Sequence, residues 1–141
     1  HIRIFVYIQR PTWSMEAQEM KRLTLALSGL AFALANAVSA AELVMVEETY
    51  CHWCERWNEE IGVVYHKTEE GKRAPLRRVD ISDPIPKDLT FKSRANYTPT
   101  FILIEDGKEF GRIEGYPGED FFWPMLGQLL DNLPEGAASG S

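Results

Sequence analysis

Two cysteines separated by two residues are the feature of this sequence most suited to chemistry. They stand in the stretch Cys51-His52-Trp53-Cys54, and the 141-residue chain contains no other cysteine. Two thiols at this spacing can alternate between a dithiol and an internal disulfide. The spacing therefore predicts a redox-active pair that exchanges electrons with the disulfide or dithiol of another molecule.

The sequence around the motif assigns a different task to each thiol. Leu43–Val46 is a short apolar run that predicts a strand, and an amphipathic helix is predicted to begin at Cys51. Unpaired N–H groups and the helix dipole favour a thiolate at the start of a helix, and the thiolate is the form that attacks a disulfide. Cys51 is therefore the predicted nucleophile. Cys54, one turn deeper, is the predicted resolving thiol.

The two residues between the cysteines are candidates for tuning the pair. A protonated His52 would place positive charge beside the thiolate, stabilise the reduced form and make the couple more oxidising. Trp53 flanks the same sulfurs and is grouped with His52 as part of the motif.

Three other interpretations of the cysteines compete with redox chemistry. A structural zinc site needs four ligands, and neither His1, His52 nor His66 has zinc-finger spacing from Cys54, so no metal site is predicted. A purely structural disulfide closing so short a loop would constrain the unfolded chain very little. Two soft thiolates also suit copper(I), so a copper-binding or copper-handling protein is the alternative function.

Composition and charge narrow the class of protein. The chain is 45% hydrophobic and 26% charged, an ordinary balance for a globular protein, and its length suits one domain. A net charge of −6 argues against a surface that binds nucleic acid.

The first forty residues have the pattern of a leader. A positive stretch at Met20–Arg22 precedes an apolar run at Leu23–Ala35, and small residues follow at Val38–Ala40. This order predicts a signal peptide at residues 20–40, cleaved after residue 40. The apolar run is short for a membrane span, which makes an uncleaved anchor the less favoured alternative. Residues 1–19 are predicted to be an upstream extension without a function.

Export would affect whether the cysteine pair is a dithiol or a disulfide between turnovers. Without the four positive and two acidic residues of the first forty, the chain keeps 11 positive and 19 acidic residues, a net charge of about −8. In an oxidising compartment such as a bacterial periplasm, a lone CxxC pair becomes a disulfide unless a donor keeps reducing it.

The remaining sequence alternates strands and helices. Such an order predicts an α/β fold whose first two strands are parallel. The predicted elements are a strand at 42–47, a helix at 51–66, a polar connection at 71–75, a strand at 76–81, a short helix at 88–95, two strands at 100–104 and 109–114 joined by a hairpin, and a helix at 119–133. Residues 41–134 form the predicted domain, and residues 135–141 a flexible tail.

In this order of motifs the segment Glu42–Leu133 resembles the thioredoxin family, and within it the small exported thioredoxins of bacteria, including those of periplasmic sulfur-oxidation systems. The resemblance rests on a strand followed by the CHWC motif, on Tyr97–Thr100 before an apolar strand, and on a glycine-turned hairpin with a closing helix. It implies a compact thioredoxin-like fold with a central mixed sheet of about four strands and flanking helices.

The resemblance also implies a substrate-binding role for Thr98 and Pro99. In such proteins the corresponding X-Pro bond is cis and lies against the cysteine pair, and the residue before proline pairs with an extended substrate peptide. The chain departs from the family pattern at Met45, where a buried acidic residue is common, and at His52-Trp53, which replace Gly-Pro.

The sequence therefore predicts an exported, periplasmic thiol-disulfide oxidoreductase that reduces disulfides of proteins or small thiols. No bound cofactor is expected, because the electrons reside in Cys51 and Cys54. The expected partners are a disulfide-bearing protein of a sulfur-oxidation or cytochrome pathway and a membrane thiol that donates electrons, with no nucleic acid. A monomer is expected.

Overall fold

A computed structural model describes residues 41–134. The predicted extension at 1–19, the signal peptide at 20–40 and the tail at 135–141 lie outside the described residues. The elements in chain order are β1 (Glu42–Glu47), α1 (His52–Trp57), a π-helical segment (Asn58–Gly62), α2 (Val63–Tyr65), α3 (Glu69–Arg73), β2 (Leu76–Asp80), β3 (Thr100–Glu105), β4 (Lys108–Glu114) and α4 (Glu119–Asp131).

The four strands form one mixed sheet in the order β2-β1-β3-β4. Strand β1 runs parallel to β2 and antiparallel to β3, and β3 and β4 form an antiparallel hairpin. Asp106 and Gly107 make the hairpin turn with positive φ angles of 52° and 72°, as the Asp-Gly sequence predicts. The predicted α/β fold and mixed sheet are confirmed.

The helix predicted at 51–66 is present as α1, the π-helical segment and α2 in succession. Cys51 is the N-cap of α1, with extended backbone angles, so it stands at the junction of loop and helix. Within residues 41–134, no helix has the length and apolar character needed to cross a membrane.

The sheet is buried on both faces because its two inner strands are apolar at every interior position. One face packs against α1, α2 and α4, and its core includes Leu43, Met45, Trp57, Ile61, Tyr65, Phe101, Leu103, Phe122, Leu126 and Leu130. The other face is covered by the long connection from β2 to β3. Its core consists of Val44, Val46, Leu89, Ile102 and Ile104, with Val79, Ile81, Ile85, Phe91 and Ala95 packed against it.

The short helix predicted at 88–95 is wrong. The segment is extended at Thr90, whose N–H donates to the Gly107 carbonyl at 2.7 Å and whose carbonyl accepts from the Glu109 N–H at 2.8 Å. The Glu109 carboxylate also accepts from the backbone N–H of Lys92 at 2.7 Å. These hydrogen bonds to β4 use backbone groups that a helix would need, so the segment lies along the hairpin instead.

The predicted polar connection at 71–75 is also wrong in part, because α3 occupies its first half. The Thr68 hydroxyl caps this helix by accepting from the Gly71 N–H at 3.0 Å. Acidic residues fill the first turn and basic residues the last, which suits the helix dipole.

Candidate active site

Cys51 and Cys54 form a disulfide at the start of α1. Their sulfurs are 2.08 Å apart and their Cα atoms 5.2 Å. Both residues are buried, with 8% of Cys51 and 3% of Cys54 exposed. The Cys51 Sγ accepts a hydrogen bond from the backbone N–H of Cys54 at 3.1 Å. The same N–H would stabilise a Cys51 thiolate once the disulfide is reduced.

Thr98 and Pro99 lie directly before β3, at the same end of the sheet as the loop that runs from β1 to Cys51. The Thr98–Pro99 peptide bond is cis, and Pro99 is buried directly before β3. The first residue of β3, Thr100, pairs with Val46 near the end of β1. The Thr98 hydroxyl donates a hydrogen bond to the Glu48 carboxylate, which ties the loop before Pro99 to the loop before Cys51.

Exposed aromatic residues stand near the cysteines and Pro99 in the sequence. Trp53 is 48% exposed, and its ring meets the His52 ring edge-on at a centroid distance of 5.5 Å. Tyr50 is 95% exposed, so it does not pack over either sulfur, and Tyr97 is 64% exposed. The loops that carry the cysteines and Pro99 therefore present apolar rings to an approaching partner.

Tyr116 and Glu60 add a contact that motif analysis did not find. The buried Tyr116 hydroxyl donates to Glu60 Oε2 at 2.6 Å, and Arg56 Nε donates to Glu60 Oε1 at 2.9 Å. The hydrogen bond from Tyr116, and then that from Arg56, lowers the pKa of Glu60. Burial, and then Glu60, raises the pKa of Tyr116, so its hydroxyl keeps its proton at neutral pH. The two residues are 56 apart in sequence, so no local pattern reveals the pair.

This contact connects the cysteine helix to Pro99. The Gly115 N–H, next to Tyr116, donates to the Pro99 carbonyl at 2.8 Å. On the other side, the Arg56 guanidinium lies 5.7 Å from the centroid of the Trp53 ring. Contacts therefore run from the loop of Pro99 to α1 and on to Trp53, between the cysteines.

At the position of Met45, the strand beneath the motif carries a thioether and no carboxylate. Its side chain is fully buried, and its sulfur lies 3.6 Å from Arg78 Nη1. The next helix-facing carboxylate on β1 belongs to Glu47, which pairs with the same Arg78 nitrogen at 2.6 Å. Arg78 Nη2 also donates to the Asn58 side chain at 2.7 Å. Met45 and Cys54 therefore belong to the same apolar core, and the Glu47 carboxylate further along the strand is paired with Arg78.

Within residues 41–134, no group of three or more histidine, cysteine or acidic side chains is placed to hold a metal ion.

Comparison with known proteins gives one informative relative. No protein-family model and no curated protein matches the chain. Among solved structures, the periplasmic thioredoxin SoxS from Paracoccus pantotrophus, in its reduced form, is 46% identical with a TM-score of 0.64. The match covers 64% of this chain and 96% of that chain. A thioredoxin of Malassezia sympodialis is 17% identical with a TM-score of 0.45, over 65% of this chain and 76% of that one, and no argument rests on it. With 46% identity to nearly all of a thioredoxin, and with a CxxC pair at disulfide distance, the chain belongs to the thioredoxin family and is a thiol-disulfide oxidoreductase.

Proposed function

We propose that the protein is an exported disulfide reductase of the bacterial periplasm that acts on disulfides of proteins or small thiols. The observation that carries the catalytic part is Cys51 at the N-cap of α1, with its sulfur accepting the Cys54 N–H. Export is supported by the leader pattern at residues 20–40 and by the periplasmic origin of the similar Paracoccus thioredoxin.

In the first step the reduced enzyme attacks its substrate. The Cys51 thiolate displaces one sulfur of the substrate disulfide, so a Cys51–substrate disulfide forms and the substrate S–S bond breaks. The departing substrate thiolate takes a proton from water. Cys51 is suited to this step because the helix N-terminus stabilises its thiolate and because it is more exposed than Cys54.

In the second step Cys54 resolves the mixed disulfide. Its thiol loses a proton to solvent and attacks the Cys51 sulfur, which forms the Cys51–Cys54 disulfide seen in the structure and releases the second substrate sulfur as a thiolate. This thiolate also takes a proton from water. The substrate gains two electrons and two protons in total. The enzyme is left oxidised and needs a dithiol donor before it can act again.

We assign substrate binding to Thr98 and Pro99. Their loop adjoins the cysteine loop through the bond from Thr98 to Glu48, and the Pro99 N atom carries no hydrogen that would compete for the substrate. An extended peptide bound along Thr98 would bring its disulfide to Cys51. The exposed Trp53 would supply apolar contact beside it.

Reduction is the proposed direction in the cell. Oxidases with a helical insertion are longer, and isomerases carry a dimerisation module that residues 41–134 do not contain. Each turnover leaves the pair as a disulfide, and an oxidising compartment does not reduce it again, so a membrane thiol is the proposed donor. The proposed substrate is a disulfide-bearing protein of a sulfur-oxidation or cytochrome pathway, and the proposed state is a monomer.

The test is to trap the first intermediate with Cys54→Ser. This variant keeps the attacking thiol and lacks the resolving one, so it should accumulate a disulfide-linked partner that survives non-reducing electrophoresis and can be identified by mass spectrometry. Cys51→Ser, the matched control, should capture none because the remaining thiol is the more buried one.

Two results would contradict the proposal. Equal trapping by both single variants would remove the division of roles between the cysteines. Stoichiometric copper(I) binding by a reduced protein that reduces no disulfide would favour the copper-handling function instead.

A further inference from the structure

Glu48 is a carboxylate at the mouth of the active site, three residues before Cys51. It is exposed, and it accepts the Thr98 hydroxyl across the gap between the two loops of the site. None of the ion pairs formed within residues 41–134 involves Glu48. Its negative charge therefore faces solvent at the place where a substrate must approach.

Two exposed aromatic rings belong to the same pair of loops. Tyr50 lies two residues after Glu48 and is 95% exposed, and Tyr97 directly precedes Thr98 and is 64% exposed. The Thr100 hydroxyl donates to the Tyr97 carbonyl at 2.8 Å, which fixes the backbone at that ring. A carboxylate on loops that also expose aromatic rings has the chemistry that attracts a lysine or arginine side chain, through a charge-assisted hydrogen bond and cation–π contact.

The surrounding charges favour the same partner. Glu114, opposite Thr100 on the neighbouring strand, is exposed on the same sheet edge. Its nearest cation is Arg112 at 3.7 Å, but that guanidinium is held by Glu109 at 2.6 Å. Glu48 and Glu114 therefore place two carboxylates at this end of the sheet.

We propose that Glu48 is a specificity-determining residue that selects protein disulfides with a lysine or arginine beside the attacked cysteine. The inference rests on the proposed reductase function and deepens it. Thr98 holds the carboxylate beside the backbone along which the substrate would lie, so a basic side chain next to the substrate disulfide would meet the acidic group as the sulfur reaches Cys51.

The test uses three cyclic peptides that differ in charge alone. Each is closed by one disulfide, and the two residues flanking one cysteine are Lys, Gln or Glu. The enzyme is reduced with dithiothreitol and freed of it, then mixed with each peptide. The second-order rate at which the peptide becomes reduced is measured by separating reduced from oxidised peptide after an acid quench. An exposed ion pair contributes up to about 1 kcal/mol, so we expect the Lys peptide to react about threefold faster than the Gln peptide and about tenfold faster than the Glu peptide.

Two variants separate a local effect from net charge. Glu48→Gln keeps an oxygen that can accept the Thr98 hydroxyl but removes the charge, so the Lys-to-Glu rate ratio should fall to about two or less. Glu105→Gln makes the same charge change at the far end of β3, away from the site, and should keep the wild-type ratio. In the wild-type enzyme, raising the salt from about 0.05 M to about 0.5 M should also shrink the ratio.

The outcomes distinguish the inference from the proposed function. If the wild-type enzyme reduces all three peptides at equal rates, or if Glu48→Gln keeps the wild-type ratio, the specificity role is overturned and the reductase function stands. If the wild-type enzyme reduces none of them, the reductase function is overturned, and the specificity role falls with it. If Glu48→Gln does not fold, Glu48→Ala, which also removes the charge from this exposed position, is judged by the same criterion.

Discussion

At the scale of single residues, Tyr116 joins the helix of the cysteines to the loop of Pro99. Its ring packs in the core that contains both cysteines, 6.0 Å from the Phe122 ring, while its hydroxyl reaches the partly exposed Glu60. The neighbouring Gly115 holds the Pro99 carbonyl. Removing the hydroxyl alone therefore tests the link without emptying the core.

Tyr116→Phe should raise the pKa of Glu60 toward the ordinary glutamate range. The Tyr116 hydrogen bond is the largest cause that lowers this pKa, and Arg56 is the second. A titration of the Glu60 side-chain carboxyl by carbon-13 NMR measures the change. Arg56→Gln is the comparison variant and should also raise this pKa, because it removes a hydrogen bond and a positive charge. An unchanged Glu60 pKa in Tyr116→Phe would show that the hydroxyl is not bound to this carboxylate in solution.

At the scale of elements, α3 depends on the absence of a side chain at Gly71. An added Cβ there would lie 1.9 Å from the Tyr65 carbonyl oxygen, a backbone atom that cannot move aside cheaply. The same turn is fixed by Thr68, whose hydroxyl donates to that oxygen at 2.8 Å and accepts from the Gly71 N–H. The close approach of α3 to the end of α2 therefore requires glycine.

Two glycine-to-alanine changes should have opposite effects on stability. Gly71→Ala should lower the free energy of unfolding by about 2 kcal/mol or more, because the clash must push α3 away from α2. Gly127→Ala, inside α4, meets no atom within 4 Å and should raise it by up to about 1 kcal/mol, through better helix propensity. Urea unfolding of both variants provides the measurement. Equal effects would mean that α3 does not approach Tyr65 as closely as the structure shows.

Local sequence patterns predict most of the elements of this fold and fail for two segments. Alternating or continuous apolar residues and the Asp-Gly turn predict all four strands, and a local motif places Cys51 and Cys54 at a helix start. The signal for α3 was present as Thr68 before two acidic residues, but Gly71 is a poor helix former and obscured it. The prediction of a helix at 88–95 fails because the hydrogen bonds that hold this segment along the hairpin join residues distant in sequence, which no local pattern shows.

The side-chain hydrogen bonds within the site could not be predicted either, because they also join residues distant in sequence. The Thr98–Glu48 bond spans 50 residues and the Tyr116–Glu60 bond 56, so only the folded chain brings their atoms together. The two cysteines, in contrast, are three positions apart and could be recognised from the sequence alone.

At the scale of the whole molecule, stability is tied to ionised carboxylates in an acidic protein. Among residues 41–134, the fold lowers the pKa values of four carboxyl groups, those of Glu60, Asp80, Asp88 and Glu109. A lowered pKa in the folded state means that the unfolded chain takes up protons first as the pH falls. Their stabilising effect is therefore complete at neutral pH and is lost as the solution is acidified below about pH 4.

Glu109 is the most buried of these groups and fastens the long β2–β3 connection to the sheet. Its side chain is 2% exposed and binds Arg112, while it also accepts the Lys92 N–H. Burial raises its pKa, but the hydrogen bonds from Arg112 and Lys92 lower it by more. Arg112 in turn donates to the Ser93 carbonyl at 2.8 Å. The Glu109 carboxylate thus holds the β2–β3 connection directly at Lys92 and, through Arg112, at Ser93.

Glu109→Gln should lower the free energy of unfolding by about 2 kcal/mol at pH 7, because it leaves the mostly buried Arg112 guanidinium without its counter-charge. Over the pH range from 6 to 3, the difference from wild type should shrink once the pH falls below about 4. The unfolded wild-type chain then takes up a proton at Glu109, and the advantage of the ionised carboxylate in the folded state is lost. Urea unfolding across that range, followed by tryptophan fluorescence, measures both effects. Glu105→Gln serves as the control for the change in charge and should follow the wild-type curve closely. A Glu109→Gln deficit that stayed constant down to pH 3 would show that the ion pair with Arg112 does not underlie the acid sensitivity, and that the connection is held by its apolar contacts with the sheet instead.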